Sequence, residues 1–196
     1  MGDPTATIPT DPMTAEEFLE WAERQEGRYE LHDGQIVPLH PAEAPLMQAQ
    51  RRAHVRAKGA LHVQCVIGIR ERKLACEAMS DGMTVLAPNG DAYEPDLTIE
   101  CGERKADGRS LTVDAPVVIA EVLSPSTATR DLGEKLRAYF TLPTVQHYLI
   151  LDPEERLVTH HSRLEGGKLL TAFHRDGTID LDPPGLTLEV ERLWEP

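Results

Sequence analysis

Aromatic side chains are scarce in this 196-residue chain, with Phe, Tyr and Trp together making up 5 %. A sugar cleft is lined with aromatic rings, so the scarcity argues against a glycosidase built on paired carboxylates. Positive charge is in deficit too. Against 33 Asp and Glu stand 20 Lys and Arg, a formal net charge of −13. Such a field argues against coating of nucleic acid or anionic membrane, while leaving room for a local basic groove or a metal site. No apolar run nears the ~20 residues of a membrane span, so no membrane partner is expected. The stretch Met1 to Asp11 carries acids and prolines where a signal peptide needs a basic then an apolar region. Three cysteines, Cys65, Cys76 and Cys101, are odd in number and widely spaced, and make neither a disulfide framework nor a zinc knuckle. Reduced thiols in a cytoplasmic protein are the expectation. Also missing are a glycine-rich phosphate loop, an HExxH helix, a Gly-x-Ser-x-Gly elbow, internal repeats and low-complexity segments.

What is present suits one globular domain: 40 % hydrophobic and 27 % charged residues, with 14 glycines. The proline-bearing residues 1–12 read as a loose arm and 13–196 as a single domain. Thr14 to Glu17 spells a capping box, and Phe18, Leu19, Trp21 and Ala22 follow at helical spacing. Asp33-Gly34 is a hairpin turn between strands Arg28–His32 and Gln35–Leu39. The run Glu43 to Val63 lacks strand alternation and predicts a long helix. Strands are expected at Lys73–Ala78, Met83–Ala87, Asp96–Glu100, Pro116–Leu123 and His147–Leu151. A helix carrying Leu132, Leu136, Tyr139 and Phe140 falls between the last two, and short strands follow from Arg156. His160-His161 reads as a surface pair. This order implies an α/β (mixed α+β) fold with a mixed sheet.

Glu121 stands out chemically. It interrupts an apolar, β-branched run, on the same face as Val117 and Ile119. An ionised carboxylate there costs several kcal/mol unless paired or bound to metal. A strand-end Glu that reaches water or an arginine is the plainer alternative. Asp96 enters the preceding strand behind Pro95, so the two acids can be sheet neighbours. Carboxylates facing one point suit a hard cation such as Mg²⁺. Lys135, on the following helix, can deliver its ammonium along apolar surface to that centre or pair with Asp131 four residues earlier. Arg51, Arg52, His54 and Arg56, with Lys58, form the best local basic cluster and could meet a phosphate backbone. A solvated helix face explains the same cluster.

An Asp, an acidic residue on the next strand and then a Lys resemble the PD-(D/E)xK nuclease superfamily. Four stretches together resemble its Uma family, whose members are described as bacterial endonucleases. They are Arg28 to Gly34, Pro95-Asp96-Leu97, Glu121 to Thr127, and Asp131 with Lys135 and Tyr139 ahead of the Tyr148 to Asp152 strand. Leu123 stands where the superfamily's lysine is expected, and the helix position Lys135 takes that place. The resemblance implies a restriction-endonuclease-like core, a mixed β-sheet flanked by helices with an N-terminal helix-hairpin and extra C-terminal strands. It also implies a metal-dependent endonuclease acting on nucleic acid, DNA above RNA, and a homodimer. Asp96, Glu121 and the Val122 carbonyl would hold Mg²⁺, with Mn²⁺ a substitute. Lys135 would orient or help deprotonate the attacking water, and Glu30 would be an outer or second-metal acid. The alternative is a nuclease fold kept as a catalytically inactive binding or scaffold module.

Overall fold

The computed structural model describes residues 8–39, 52–102, 110–123 and 132–195. Arg51, Asp131 and the turn Ser124 to Thr127 lie outside the described residues. Helix α1 (Ala15–Ala22) begins on the expected capping box: Thr14 Oγ1 accepts from the Glu17 N–H, and the Thr14 N–H donates to Glu17 Oε2 at 2.8 Å. Strands β1 (Tyr29–His32) and β2 (Gln35–Pro38) pair antiparallel. Asp33 and Gly34 turn between them with φ of 49° and 77°, the left-handed pair that matches strand twist. Beyond α2 (Arg52–Glu71) come β3 (Cys76–Ser80), β4 (Thr84–Leu86), β5 (Ala92–Tyr93), β6 (Leu97–Cys101), β7 (Thr112–Val113) and β8 (Pro116–Val122). Helix α3 (Leu132–Thr141) leads to β9 (His147–Asp152), β10 (Leu157–Arg163), β11 (Leu169–His174), β12 (Thr178–Leu181) and β13 (Leu186–Glu189).

The main sheet runs β11-β10-β9-β8-β6-β3, with β8 and β9 parallel and the other pairs antiparallel. A second sheet runs β2-β1-β5-β4-β7. Strand β8 is the divider. Val118, Ala120 and Val122 pack with Ala57, Leu61 and Cys65 of α2 and with the β12–β13 hairpin, while Ile119 joins Tyr139 of α3, Tyr148 of β9 and Val85 of the second sheet. Being covered on both faces is the reason this strand reads as a nearly continuous apolar run. Strands β5 and β7 escape sequence reading because two residues carry no periodicity. Helix α2 runs eight residues beyond the expected end at Val63, to Glu71. Among the described residues no helix is long and apolar enough to cross a membrane.

The cysteine expectation needs correcting. Cys76 and Cys101 face each other across β3 and β6 and are disulfide-bonded, while Cys65 is free and buried. Strand register, invisible in the spacing, brings them together. The thiol argument for a cytoplasmic location falls with it. The bond closes a 25-residue separation, so replacing both cysteines by serine should cost about 3 kcal/mol by loop-closure entropy. Urea unfolding of the native and doubly substituted chains measures this, and a difference near zero would refute it.

His160-His161 is not a surface pair: both are buried, as is His147. His147 Nδ1 and His160 Nε2 lie 2.9 Å apart, and the His174 ring sits 6.1 Å from that of His160. Burial, then the neighbouring imidazoles, pushes His160 down to about 4, and burial also lowers His147. A depressed histidine is neutral when folded but takes its proton near 6.5 when unfolded. Its share of stability is therefore full above pH 6.5 and is lost as the pH falls from 6.5 through 4. The loss should be on the order of 2 kcal/mol after allowance for partial solvation. Denaturant unfolding across that range should show the slope, and His160→Gln should flatten it.

Candidate active site

The antiparallel β6–β8 pair sets Leu97 opposite Ala120, so Asp96, just before β6, lies alongside the Glu121–Val122 end of β8. Asp96 is 8 % exposed. Its Oδ2 accepts from the Val122 N–H at 2.8 Å and its Oδ1 from the Lys58 ammonium at 2.7 Å. Lys58, from α2, also pairs with Asp81 in the β3–β4 turn. Glu121 lies on the Ile119 face of β8, toward α3. Its Oε1 accepts from Lys135 Nζ at 2.9 Å and from the Tyr139 hydroxyl at 3.0 Å, two groups one helical turn apart on α3. Lys135 Nζ also donates to Glu30 Oε1 at 2.8 Å. Glu30, buried in β1, accepts from the Glu94 N–H at 3.1 Å and from His32 Nε2 at 3.1 Å. Lys135 thus joins two acids from different sheets, and the second sheet delivers Glu30 to an end of the first.

Charge here is incompletely compensated. Burial pushes the Glu121 carboxyl up to about 7, Asp96 and Glu30 push the same way, and Lys135 opposes them only in part. Glu30 differs. Burial would raise it, but bonds from His32, Lys135 and the Glu94 N–H hold it below the ordinary carboxylate range. Burial works against the Lys135 ammonium, yet Glu121 and Glu30 outweigh it and raise the pKa, so the amine stays protonated. His32 is raised chiefly by its bond to Glu30. Tyr139 is pushed far up, first by burial and then by Glu121, and keeps its proton.

A family model described as "Uma2: Putative restriction endonuclease" matches residues 15–192. The chain belongs to the Uma2 family. Two curated relatives come from Synechocystis sp. (strain ATCC 27184 / PCC 6803 / Kazusa). "Uncharacterized protein slr1290" is 26 % identical over 201 residues, covering 97 % of this chain and 95 % of that one. "Uncharacterized protein sll1609" is 30 % identical over 156 residues, covering 79 % and 83 %. The Uma2 chain also shares its fold with the crystal structure of "a putative nuclease belonging to DUF820" from Anabaena variabilis ATCC 29413. That likeness has a TM-score of 0.67 at 15 % identity, over 93 % of this chain and 98 % of the other.

In this Uma2 chain the expected residues separate into two groups. Lys135 brings Glu30 and Glu121 together, and Asp96 lies close enough to act on the Glu121 charge. Arg52 is exposed on the first turn of α2 and Arg56 half-buried. His54 does not join that surface: it is buried, and its Nε2 lies 3.0 Å from the Val122 carbonyl, because its position on α2 faces the end of β8. Lys58 is the residue that sequence reasoning missed. Counted with a surface cluster, it is 8 % exposed and neutralises Asp96. Its spacing of four from His54, which puts both on one helix face, was the available signal.

The donor set fits a hard divalent ion. The Asp96 and Glu121 carboxylates and the Val122 main-chain carbonyl are all oxygen donors, and burial together with Asp96 and Glu30 leaves the Glu121 carboxyl raised despite Lys135. The Val122 carbonyl, with two lone pairs, can accept from His54 and keep one for an ion.

Proposed function

We propose that this Uma2 protein is a metal-dependent endonuclease that hydrolyses phosphodiester bonds in nucleic acid, with DNA as substrate. The reading rests above all on Glu121, a half-buried carboxylate near Asp96 whose charge Lys135 offsets only in part. Asp96, Glu121 and the Val122 carbonyl would hold Mg²⁺, with Mn²⁺ a substitute. Such an ion, when bound, supplies Lewis acidity toward water and the phosphoryl oxygens.

The chain's own groups have separable tasks. Lys135 stays protonated, so it acts as a hydrogen-bond donor and fixed positive charge at the phosphoryl group or the attacking water, not as the base. Glu30 positions Lys135 by gripping the same ammonium from the opposite side. Tyr139 orients Glu121 through its hydroxyl. Arg52 and Arg56, on the first turns of α2, would meet the phosphate backbone, and they must act against the −13 overall charge.

Nicking of supercoiled plasmid tests the reading. Cleavage is expected with Mg²⁺ or Mn²⁺ and not with chelator, and Asp96→Asn should lower the rate by on the order of 10²–10³-fold. Equal nicking by both proteins would expose a contaminant and refute the assignment. One observation favours a second reading, a nuclease fold that binds without cutting: Lys58 already meets Asp96 where an ion would be drawn. Metal-independent DNA retention without any nicking would select it.

A further inference from the structure

Next to Glu30 lies a group of side chains that the proposed chemistry does not use. His32 of β1, Asp91 just before β5 and Glu134 at the start of α3 each bring one donor atom to within 4.8 Å of the others. These are an imidazole and two carboxylates from three separate elements. We propose that they form a second metal site, distinct from the Asp96–Glu121 pair, that takes a borderline transition ion of the Zn²⁺ or Co²⁺ class.

The orientation of the imidazole carries the argument. His32 Nε2 lies 3.1 Å from Glu30 Oε2. An ionised carboxylate only accepts, so Nε2 carries the hydrogen. That leaves Nδ1 to face Glu134 Oε1 at 3.7 Å, a spacing two ligands of one ion can share. A carboxylate that holds the far nitrogen of a ligating histidine fixes its tautomer and raises its basicity. Glu30 fills that place, and the edge of the ring packs on Tyr93 with centroids 5.0 Å apart.

Asp91 is equally prearranged. It is 2 % exposed. It accepts from the Asp33 N–H at 2.8 Å, the Asn89 side-chain amide at 2.7 Å and the Tyr93 hydroxyl at 2.9 Å. Three donors leave one of its acceptor positions open. Imidazole with carboxylates suits zinc-like ions, whereas the all-oxygen set at Glu121 suits Mg²⁺. An ion here would tie β1, the β4–β5 turn and α3 together, and so hold the helix that carries Lys135 and Tyr139.

Titration with Co²⁺ followed by visible absorption, with displacement by Zn²⁺, tests the site whether or not the protein cuts DNA. One equivalent should bind with ligand-field bands and be displaced by Zn²⁺. Asp96→Asn and Glu121→Gln should leave that equivalent in place. His32→Gln and, on the half-buried helix surface, Glu134→Gln should each weaken it at least about tenfold. Loss of the signal in the Asp96 and Glu121 variants, no change in the His32 and Glu134 variants, or no Co²⁺ signal at all would overturn the proposal. An absence of nicking would strike at the nuclease reading alone.

Discussion

Glu121→Gln should melt at a higher temperature than the native chain at pH 8 in chelator, yet lose on the order of 10²–10³-fold of any plasmid cleavage. The two effects share one cause. In the fold this carboxyl is pushed from 4.5 up to about 7, by burial first and then by Asp96 and Glu30. A raised acid costs the native state nothing below pH 4.5. The cost grows between 4.5 and 7 and is complete above 7, because only the folded carboxyl is ionised against its surroundings. Its size is on the order of 2–3 kcal/mol. Glutamine keeps the shape and an oxygen for Tyr139, and Lys135 keeps Glu30 as its partner. The variant should therefore gain about 2 kcal/mol at pH 8 and almost nothing at pH 5. Melts at both pH values, beside the nicking assay, measure it. A lower melting point at pH 8 would mean that Glu121 is already fully compensated, which removes the electrostatic reason for a metal.

Lys58→Met should lower stability in chelator by about 3–5 kcal/mol, the cost of removing one partner of a buried ion pair. The Lys58 side chain is 10 % exposed and that of Asp96 12 %, so water cannot replace the lost ammonium well. Methionine keeps an unbranched apolar stem of similar length, so the loss isolates the charge. Mn²⁺ should restore more of the missing stability than it adds to the native chain, since an ion that meets Asp96 no longer competes with an ammonium. Urea unfolding in chelator and in Mn²⁺ gives both numbers. A loss below about 1 kcal/mol would make the pair an ordinary surface bridge, and an equal Mn²⁺ effect in both proteins would mean that no ion reaches Asp96.

Much of the framework is legible locally. The capping box at Thr14, the Asp-Gly turn and the apolar run of β8 each encode their conformation in a few consecutive residues. The acid inside β8 is legible for the same reason, as a polar group where a strand covered on both faces calls for Val. Other features resist. Asp96 looked like the first residue of a strand and instead stands just before it. Lys58 and His54 looked like members of a charged helix surface, since a helix of small and basic residues does not announce which side is covered. The paired cysteines and the buried histidines depend on register between strands that lie far apart in the chain.

The order of residues thus determines where the longer strands and the capped helix lie and which carboxylate must be neutralised, because propensity and alternation act over a few neighbours. Only the assembled sheets decide what neutralises it. Lys58 meets Asp96 from α2, and Lys135 bridges Glu121 and Glu30 across two sheets. Such partners are set by long-range register and by the direction from which a helix covers a sheet, and a one-residue slip in either would bring different charges together.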